Sequence, residues 1–144
     1  SGGVNSGLSS NSKVEGYWLW PTRTPYYVSS SYGYRWGTLH DGMDIAGAGF
    51  GSPIYASNNG IVVASSYKYD NGEYIVINHN NGYYTMYAHL AERYVSVGQE
   101  ISQGDTIGSM GRTGAATGVH LHFGLWRGYP YSRGSSSMNP MSLF

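Results

Sequence analysis

The sequence predicts a mainly β domain, built as an antiparallel β-sheet with little helix, and three observations point to this class. The 144 residues include 22 Gly and 15 Tyr; Gly permits the backbone angles of tight turns, and Tyr favours strands. Only 11% of the residues are charged, against about 25% in a typical domain. No stretch longer than about ten residues shows a clean helical period of apolar side chains.

The strand pattern extends over most of the chain. Short apolar runs bounded by Gly, Asn and Pro predict strands, and the clearest are residues 54–64, 74–79, 83–89, 106–110 and 121–126. The pair Asn81-Gly82 lies between the second and third of these runs and predicts one antiparallel hairpin over residues 74–89. The best helix candidate, residues 88–94, would amount to one or two turns.

Residues 1–14 are predicted to be a flexible Gly/Ser-rich linker, because they bury too little apolar surface to offset the entropy of ordering them. Residues 15–144 then form one domain, since a chain of this length supports a single sizeable core. A linker at this position suggests that the domain is one part of a larger modular protein, with the missing part upstream.

The composition excludes several partners and several kinds of chemistry. Eight basic and eight acidic residues give a formal net charge of zero, so there is no basic field to attract nucleic acid. No apolar run approaches the roughly 20 residues that span a bilayer. The absence of Cys excludes a disulfide scaffold, thiolate metal ligands and a Cys nucleophile. Any metal must therefore be held by His and carboxylate side chains. We also expect the domain to be a monomer.

His120 and His122 are the first candidate site residues. On a strand, side chains two apart point to the same face, so Leu121 enters the opposite layer and both imidazoles share one face. A pair of surface histidines on a sheet would show the same spacing. The small-residue loop at residues 113–118, which lets backbone or substrate approach closely, favours a site instead.

His40 and Asp44 place an imidazole and a carboxylate four residues apart, with Gly42 between them to permit a sharp bend. This spacing alone is weak, because it occurs often by chance. Combined with either His120 or His122 it makes two imidazoles and one carboxylate. That is the ligand set of a catalytic zinc that keeps one coordination position open, whereas a structural zinc would use four protein ligands.

His89 lies at the end of the predicted hairpin's second strand. A zinc hydrolase needs a group that takes a proton from the attacking water and a group that steadies the developing oxyanion. His89 and the spare member of the His120/His122 pair are candidates for these two tasks. His79, beside the hairpin turn, is predicted to be structural.

The order of these motifs resembles the lysostaphin-type (LytM-like, M23) peptidoglycan endopeptidases. The resemblance combines His40-x-x-x-Asp44, the Tyr-Ala-His-Leu segment around His89, and His120-x-His122. Further matching blocks are residues 31–35, 40–46, 51–56, 60–62, 81–83, 97–99, 103–108 and 113–123. The resemblance therefore covers the chain from about residue 30 onward.

The resemblance implies one Zn²⁺ ion held by His40, Asp44 and His122, with His89 and His120 as the catalytic pair. It implies an antiparallel β domain whose loops wall a narrow groove. The implied reaction is hydrolysis of a peptide bond in the stem or cross-bridge of peptidoglycan, through a water that the metal activates near neutral pH. It also implies an extracellular or cell-wall location, and it leaves open which histidine is the general base.

The sequence motifs identify the substrate-groove residues less clearly than the metal ligands. Members of the family with long loops place a Tyr near the scissile bond, and here the corresponding segment, residues 32–39, is short. Either Tyr34, Tyr32 or neither residue fills that position, and Thr117 is the candidate from the small-residue loop. Val119 stands before His120 where Pro is frequent in the family, which should alter loop rigidity but not metal binding.

Two other functions are consistent with parts of the sequence. One is a non-catalytic LytM-like scaffold or activator that keeps the fold without the metal. The other is a wall-binding module whose aromatic surface holds glycan without cutting it. The first requires lost ligands, whereas all five site positions are filled here, and the second leaves the order of the histidines unexplained.

Overall fold

The computed structural model describes Val14 and residues 16–144. The linker prediction for residues 1–13 lies outside the described residues. Val14, which that prediction included, is only 6% exposed, and its N–H donates to the carbonyl of Ser142 at 2.8 Å. Val14 is therefore part of the packed domain.

Antiparallel strands make up almost all of the regular structure. The strands are β1 (Tyr27–Ser30), β2 (Gly33–Arg35), β3 (Thr38–His40), β4 (Met43–Ala46), β5 (Pro53–Tyr55), β6 (Gly60–Lys68), β7 (Gly72–Asn78), β8 (Tyr83–Arg93), β9 (Glu100–Ile101), β10 (Thr106–Met110), β11 (Leu121–Arg127) and β12 (Ser136–Met138). Within the described part of the chain the helical structure is one short 3₁₀ turn, Pro140–Leu143. The predicted fold class is confirmed.

The main sheet has the order β1-β4-β11-β8-β7-β6-β9. Strand β10 pairs with both β5 and β8, and β12 pairs with β11. Strands β2 and β3 form a separate two-stranded hairpin that leads directly into β4. The three neighbours β4, β11 and β8 lie near the middle of the sheet and carry the candidate site.

The hairpin predicted from Asn81-Gly82 is confirmed. Strands β7 and β8 pair antiparallel from Asn78 opposite Tyr84. Gly82 adopts φ of 90° and Asn80 adopts φ of 61°, which are angles that Gly and Asn tolerate better than other residues.

Two element predictions need correction. Residues 88–94 are not helical, because β8 continues to Arg93 and pairs there with β10. The run 54–64 is not one strand either. It divides into β5 and β6 at a turn in which the side chain of Asn58 accepts a hydrogen bond from the backbone N–H of Asn59 at 2.9 Å.

The sheet buries apolar side chains on both faces. On β7, Ile75 and Ile77 belong to the larger core cluster, whereas Tyr74 and Val76 belong to a smaller cluster. This alternation follows from the two-residue period of a strand. On β11, Leu121, Phe123 and Leu125 likewise enter the larger core. The side chain of His122 must then lie on the opposite face.

His79 is a buried core residue, as predicted. Its Nδ1–H donates to the carbonyl of Asn59 at 2.8 Å, and Nε2 accepts from the Thr85 hydroxyl at 2.7 Å. The Thr85 oxygen lies 2.7 Å from the Tyr87 hydroxyl, which in turn accepts from the N–H of Ser57 at 3.1 Å. Burial lowers the pKa of His79 to about 4, so the ring is neutral in this chain of hydrogen bonds.

Across the described residues we find no helix with the length and apolar character needed to cross a membrane.

Candidate metal centre and active site

Three adjacent strands bring the predicted site residues together. His122 of β11 lies opposite Asp44 of β4 on one side and opposite Ala88 of β8 on the other. His40 ends β3, and His120 forms an isolated bridge with Gly111 just before β11. Residues that are distant in sequence therefore meet because their strands are neighbours.

His40, Asp44 and His122 form a group with the ligands and spacing of a metal site. One nitrogen or oxygen atom from each lies within 4.8 Å of the others. The Oδ1 atom of Asp44 is 3.4 Å from Nε2 of His40 and 3.1 Å from Nδ1 of His122. Burial opposes ionisation of Asp44, but hydrogen bonds from both histidines outweigh it and hold its pKa well below the usual range. The carboxylate is therefore charged, as a metal ligand must be.

Each of the two imidazoles in this group has a partner on its far side. Nδ1 of His40 lies 3.0 Å from the carbonyl oxygen of Ser31. A carbonyl can only accept, so Nδ1 carries a proton and Nε2 is the nitrogen that faces Asp44. Nε2 of His122 lies 3.4 Å from Oδ1 of Asp41. Such outer partners orient the ligand histidines of metal sites.

His122 binds a proton strongly when no metal is present. Burial alone would lower its pKa, but Asp41 and Asp44 raise the pKa of His122 to about 9. A metal ion at this ring must therefore compete with a proton.

The rings of His89 and His120 lie side by side in an edge-to-face arrangement, with centroids 5.0 Å apart. Nδ1 of His89 donates to the carbonyl of Thr113 at 2.8 Å, and Nδ1 of His120 donates to the carbonyl of Gly118 at 3.0 Å. Both rings are therefore held in the same tautomer, with Nε2 available. Nε2 of His120 is 3.6 Å from Oδ1 of Asp44. Burial lowers the pKa of His89, and the hydrogen bond to Thr113 offsets this only in part.

A β-bulge sets the direction of His89. Glu73 and Ile75 of β7 pair with Leu90 and Tyr87 of β8, so β8 has one extra residue over this interval. His89 lies in it with φ of 64°, a left-handed angle that is uncommon outside Gly. Bulges of this kind re-aim a side chain at the edge of a site.

The five histidine and aspartate residues line one cleft of about 320 Å³. Its other lining residues are Asp41, Asp70, Asn71, Ala115, Ala116, Thr117 and Tyr131. Thr117, the groove candidate from the small-residue loop, is among these lining residues. The loops on both sides of the cleft supply the walls.

Tyr32 and Tyr34 are not brought into this cleft. Both line a separate pocket of about 630 Å³. Tyr34 lies opposite Leu39 in the β2–β3 hairpin, whereas His40 lies opposite Gly33. Successive strand residues point to opposite faces, so Tyr34 and His40 are on different faces of the hairpin.

Sequence reasoning missed several residues of the cleft, among them Asp41 and Tyr131. Asp41 contacts His122, and Tyr131 hydrogen-bonds to Asp41. The only sequence signal for Asp41 was its position next to His40. Tyr131 is one of 15 tyrosines, and nothing in its local sequence marks it.

Gly42 is required by close packing against a site residue. A β-carbon at this position would lie 2.6 Å from Nε2 of His122 and 2.7 Å from the carbonyl oxygen of Phe123. Both distances are shorter than real contacts of a β-carbon, so no other residue fits without displacing His122.

Comparison with known proteins gives concordant matches. The family model described as Peptidase family M23 matches residues 38–140. Peptidoglycan DD-endopeptidase ShyC of Vibrio cholerae serotype O1 is 48% identical over 84 residues, which are 58% of this chain and 19% of that protein. The chain thus spans about a fifth of the length of the curated relatives it matches.

Two solved structures extend the comparison. A zinc-containing peptidase from Vibrio cholerae has a TM-score of 0.68 at 33% identity, covering 74% of this chain and 35% of that chain. The antimicrobial peptidase lysostaphin from Staphylococcus simulans has a TM-score of 0.71 at 31% identity, covering 81% and 48%. The lysostaphin-like fold and the family resemblance are confirmed. The family model covers well over half of the chain, and the chain therefore belongs to peptidase family M23.

Proposed function

We propose that this domain is a zinc-dependent endopeptidase that hydrolyses a peptide bond in the stem or cross-bridge of bacterial peptidoglycan. The observation that carries the proposal is that a group of potential metal ligands and a pair of imidazoles line the same cleft. His40, Asp44 and His122 offer three metal ligands, and His89 and His120 offer two oriented imidazoles beside them. The similarity to a peptidoglycan DD-endopeptidase and to a zinc-containing peptidase supports it.

The residues present fit zinc. Two imidazole nitrogens and one carboxylate oxygen are its common catalytic donors, and three protein ligands leave a coordination position open. The contacts of His40 with Ser31 and of His122 with Asp41 are the outer contacts that such ligands need. When bound, zinc supplies Lewis-acid polarisation of the scissile carbonyl and activates water at neutral pH.

His89 and His120 carry the proton transfers. The backbone carbonyls of Thr113 and Gly118 hold the Nδ1–H of each ring, so Nε2 is the atom that exchanges protons. A neutral ring at Nε2 accepts the proton of the attacking water. A protonated ring at the same atom donates to the developing oxyanion or to the leaving amine. Two rings in one cleft therefore provide both tasks.

The cleft is suited to a thin peptide chain. Ala115, Ala116 and Thr117 form one wall with little side-chain bulk, so a peptide backbone can approach the two imidazoles closely. A domain with this substrate acts at the cell wall, outside the cytoplasm. Because all five site residues come from one chain, we propose that the domain works as a monomer.

Metal analysis of protein purified without added zinc, joined to a wall-hydrolysis assay, tests the proposal. We expect about one zinc per chain in the native protein. Replacing His40, Asp44 or His122 by Ala should remove zinc and hydrolysis together, whereas replacing His89 or His120 should remove hydrolysis alone. Glu100→Gln, an exposed position in β9, is the control that should change neither. A folded native protein that binds no zinc and never hydrolyses wall would instead support the scaffold function.

A further inference from the structure

Asp41 contacts the side of His122 that faces away from the metal-ligand group. Its Oδ1 atom is 3.4 Å from Nε2 of His122, while Nδ1 of the same ring is 3.1 Å from Asp44. A neutral imidazole has one N–H. If that proton is on Nε2 and is donated to Asp41, the lone pair of Nδ1 is directed into the metal-ligand group.

Tyr131 holds Asp41 from the other side. It lies in the loop between β11 and β12, and its hydroxyl donates to the Asp41 carboxylate. Burial and the negative charge of Asp41 raise the pKa of the Tyr131 phenol well above its usual range, so the phenol keeps its proton and acts as a donor. The Tyr131 ring packs against Trp126, with centroids 4.6 Å apart, and Trp126 is only 6% exposed.

These contacts form a series that runs from Trp126 to His122. The nearly buried Trp126 fixes the Tyr131 ring, the Tyr131 hydroxyl fixes Asp41, and Asp41 fixes the ring of His122. Without Tyr131, the carboxylate of Asp41, whose side chain is 24% exposed, is free to rotate toward solvent. Without Asp41, His122 has no acceptor at Nε2 among these contacts, and its Nδ1-protonated tautomer, which cannot bind metal through Nδ1, gains population.

We propose that Tyr131 and Asp41 are positioning residues for the metal centre, in which Asp41 selects Nδ1 of His122 as the ligand atom and Tyr131 fixes Asp41. The proposal rests on the zinc site of the proposed function and extends it by two residues. In this scheme neither Asp41 nor Tyr131 is itself a metal ligand. Their effect is on how tightly the metal is held.

Zinc affinity, measured by competition with a chromophoric chelator, tests the proposal without any turnover. We expect Asp41→Ala to weaken zinc binding about 10- to 100-fold, the usual effect of losing an outer partner of a ligand histidine. Tyr131→Phe should weaken it by less, about 3- to 10-fold, because it removes one hydrogen bond. Tyr129→Phe, in the same loop, is the matched control and should leave the affinity unchanged.

The double variant separates a chain of contacts from two independent effects. If Tyr131 acts through Asp41, adding Tyr131→Phe to Asp41→Ala should weaken zinc binding no further. Nitrogen-15 NMR of histidine-labelled zinc-loaded protein gives a second readout. It should show Nε2–H on His122 in the native protein and loss of that single tautomer in Asp41→Ala. Asp41→Asn keeps an acceptor oxygen and should retain most of the zinc affinity, and Tyr131→Phe still tests the proposal if the alanine variant does not fold.

Three outcomes overturn the proposal. They are native-like zinc affinity in Asp41→Ala, a further loss on adding Tyr131→Phe to it, and a native protein that binds no zinc. In the last case the proposed function fails as well. In the first two, native zinc content and wall hydrolysis would remain, so only this inference fails.

Discussion

The Nδ1–H of His89 donates a hydrogen bond to the carbonyl oxygen of Thr113 at 2.8 Å. The hydroxyl of Thr113 donates to the carbonyl of Leu90 at 2.6 Å and accepts from the N–H of Glu73 at 3.0 Å. Hydrogen bonds of Thr113, which lies in the loop before His120, therefore link that loop to the bulge that carries His89 and to the start of β7. The orientation of His89 depends on a residue 24 positions away.

Thr113→Val keeps the shape of the side chain but removes both hydrogen bonds of the hydroxyl. The N–H of Glu73 loses its partner, so we expect the free energy of unfolding to fall by about 1–3 kcal/mol. Because the bulge around His89 loosens, kcat should fall while the zinc content stays at the native level. Urea unfolding and a wall-hydrolysis assay measure the two effects, with Thr113→Ser as the control that restores both. Native stability and kcat in the Val variant would show that Thr113 has no such role.

His89→Ala and His120→Ala should each lower the rate of peptide hydrolysis by about 10²- to 10⁴-fold, the usual contribution of one acid–base group. Neither ring belongs to the three-ligand group, so the zinc content should stay near one ion per chain. Steady-state rates on soluble muropeptides, normalised to bound zinc, check this. An unchanged rate in either variant would remove that histidine from the catalytic pair.

Gly42→Ala should displace His122, because the added β-carbon would lie 2.6 Å from its Nε2 atom. Overpacking of this kind costs about 1–3 kcal/mol of stability, and the misplaced ring should bind zinc more weakly. Thermal unfolding and chelator competition measure these effects. Gly118→Ala is a matched control, since a β-carbon there meets no atom within 4 Å. Equal behaviour of the two variants would contradict the packing argument.

The stability of the fold should depend on pH through His79. Its pKa is about 4 when folded and returns to about 6.5 when unfolded. Between these values the unfolded chain binds a proton that the folded chain does not, so stability falls as the pH is lowered from 6.5 to 4. The loss from this residue is complete below about pH 4 and amounts to roughly 3 kcal/mol.

Urea unfolding of the native protein and of His79→Gln between pH 4 and 7 checks this expectation. The variant cannot take up the proton, so its stability should vary less across the window, even if it is lower at neutral pH. Parallel pH profiles for the two proteins would mean that His79 is not the group responsible.

Local sequence patterns predicted part of this site well. The alternation of strand residues correctly placed His120 and His122 on one face, and Asn81-Gly82 correctly marked the hairpin that leads to His89. These features depend on a few neighbouring residues. The same reasoning could not choose between His120 and His122 as the metal ligand, because both side chains are predicted on the same face of the strand.

The grouping of Asp44 with His122 depends on contacts between distant segments. In the structure, Asp44 pairs with His122 because β4 lies beside β11, and no local pattern specifies that pairing. The bulge at His89 is similarly hidden, and residues 88–94, the best helix candidate in the sequence, belong mostly to the bulged strand β8. Tyr131 reaches Asp41 only through the path of the β11–β12 loop, which the sequence does not reveal.

Mass spectrometry of the fragments that the zinc-loaded domain releases from purified cell walls tests the central claim most directly. The account predicts new amino and carboxyl termini at one kind of peptide bond, with the glycan intact, and no such fragments from Asp44→Ala. It would be contradicted if the zinc-loaded protein released no peptide fragments, or if Asp44→Ala released the same fragments as the native protein.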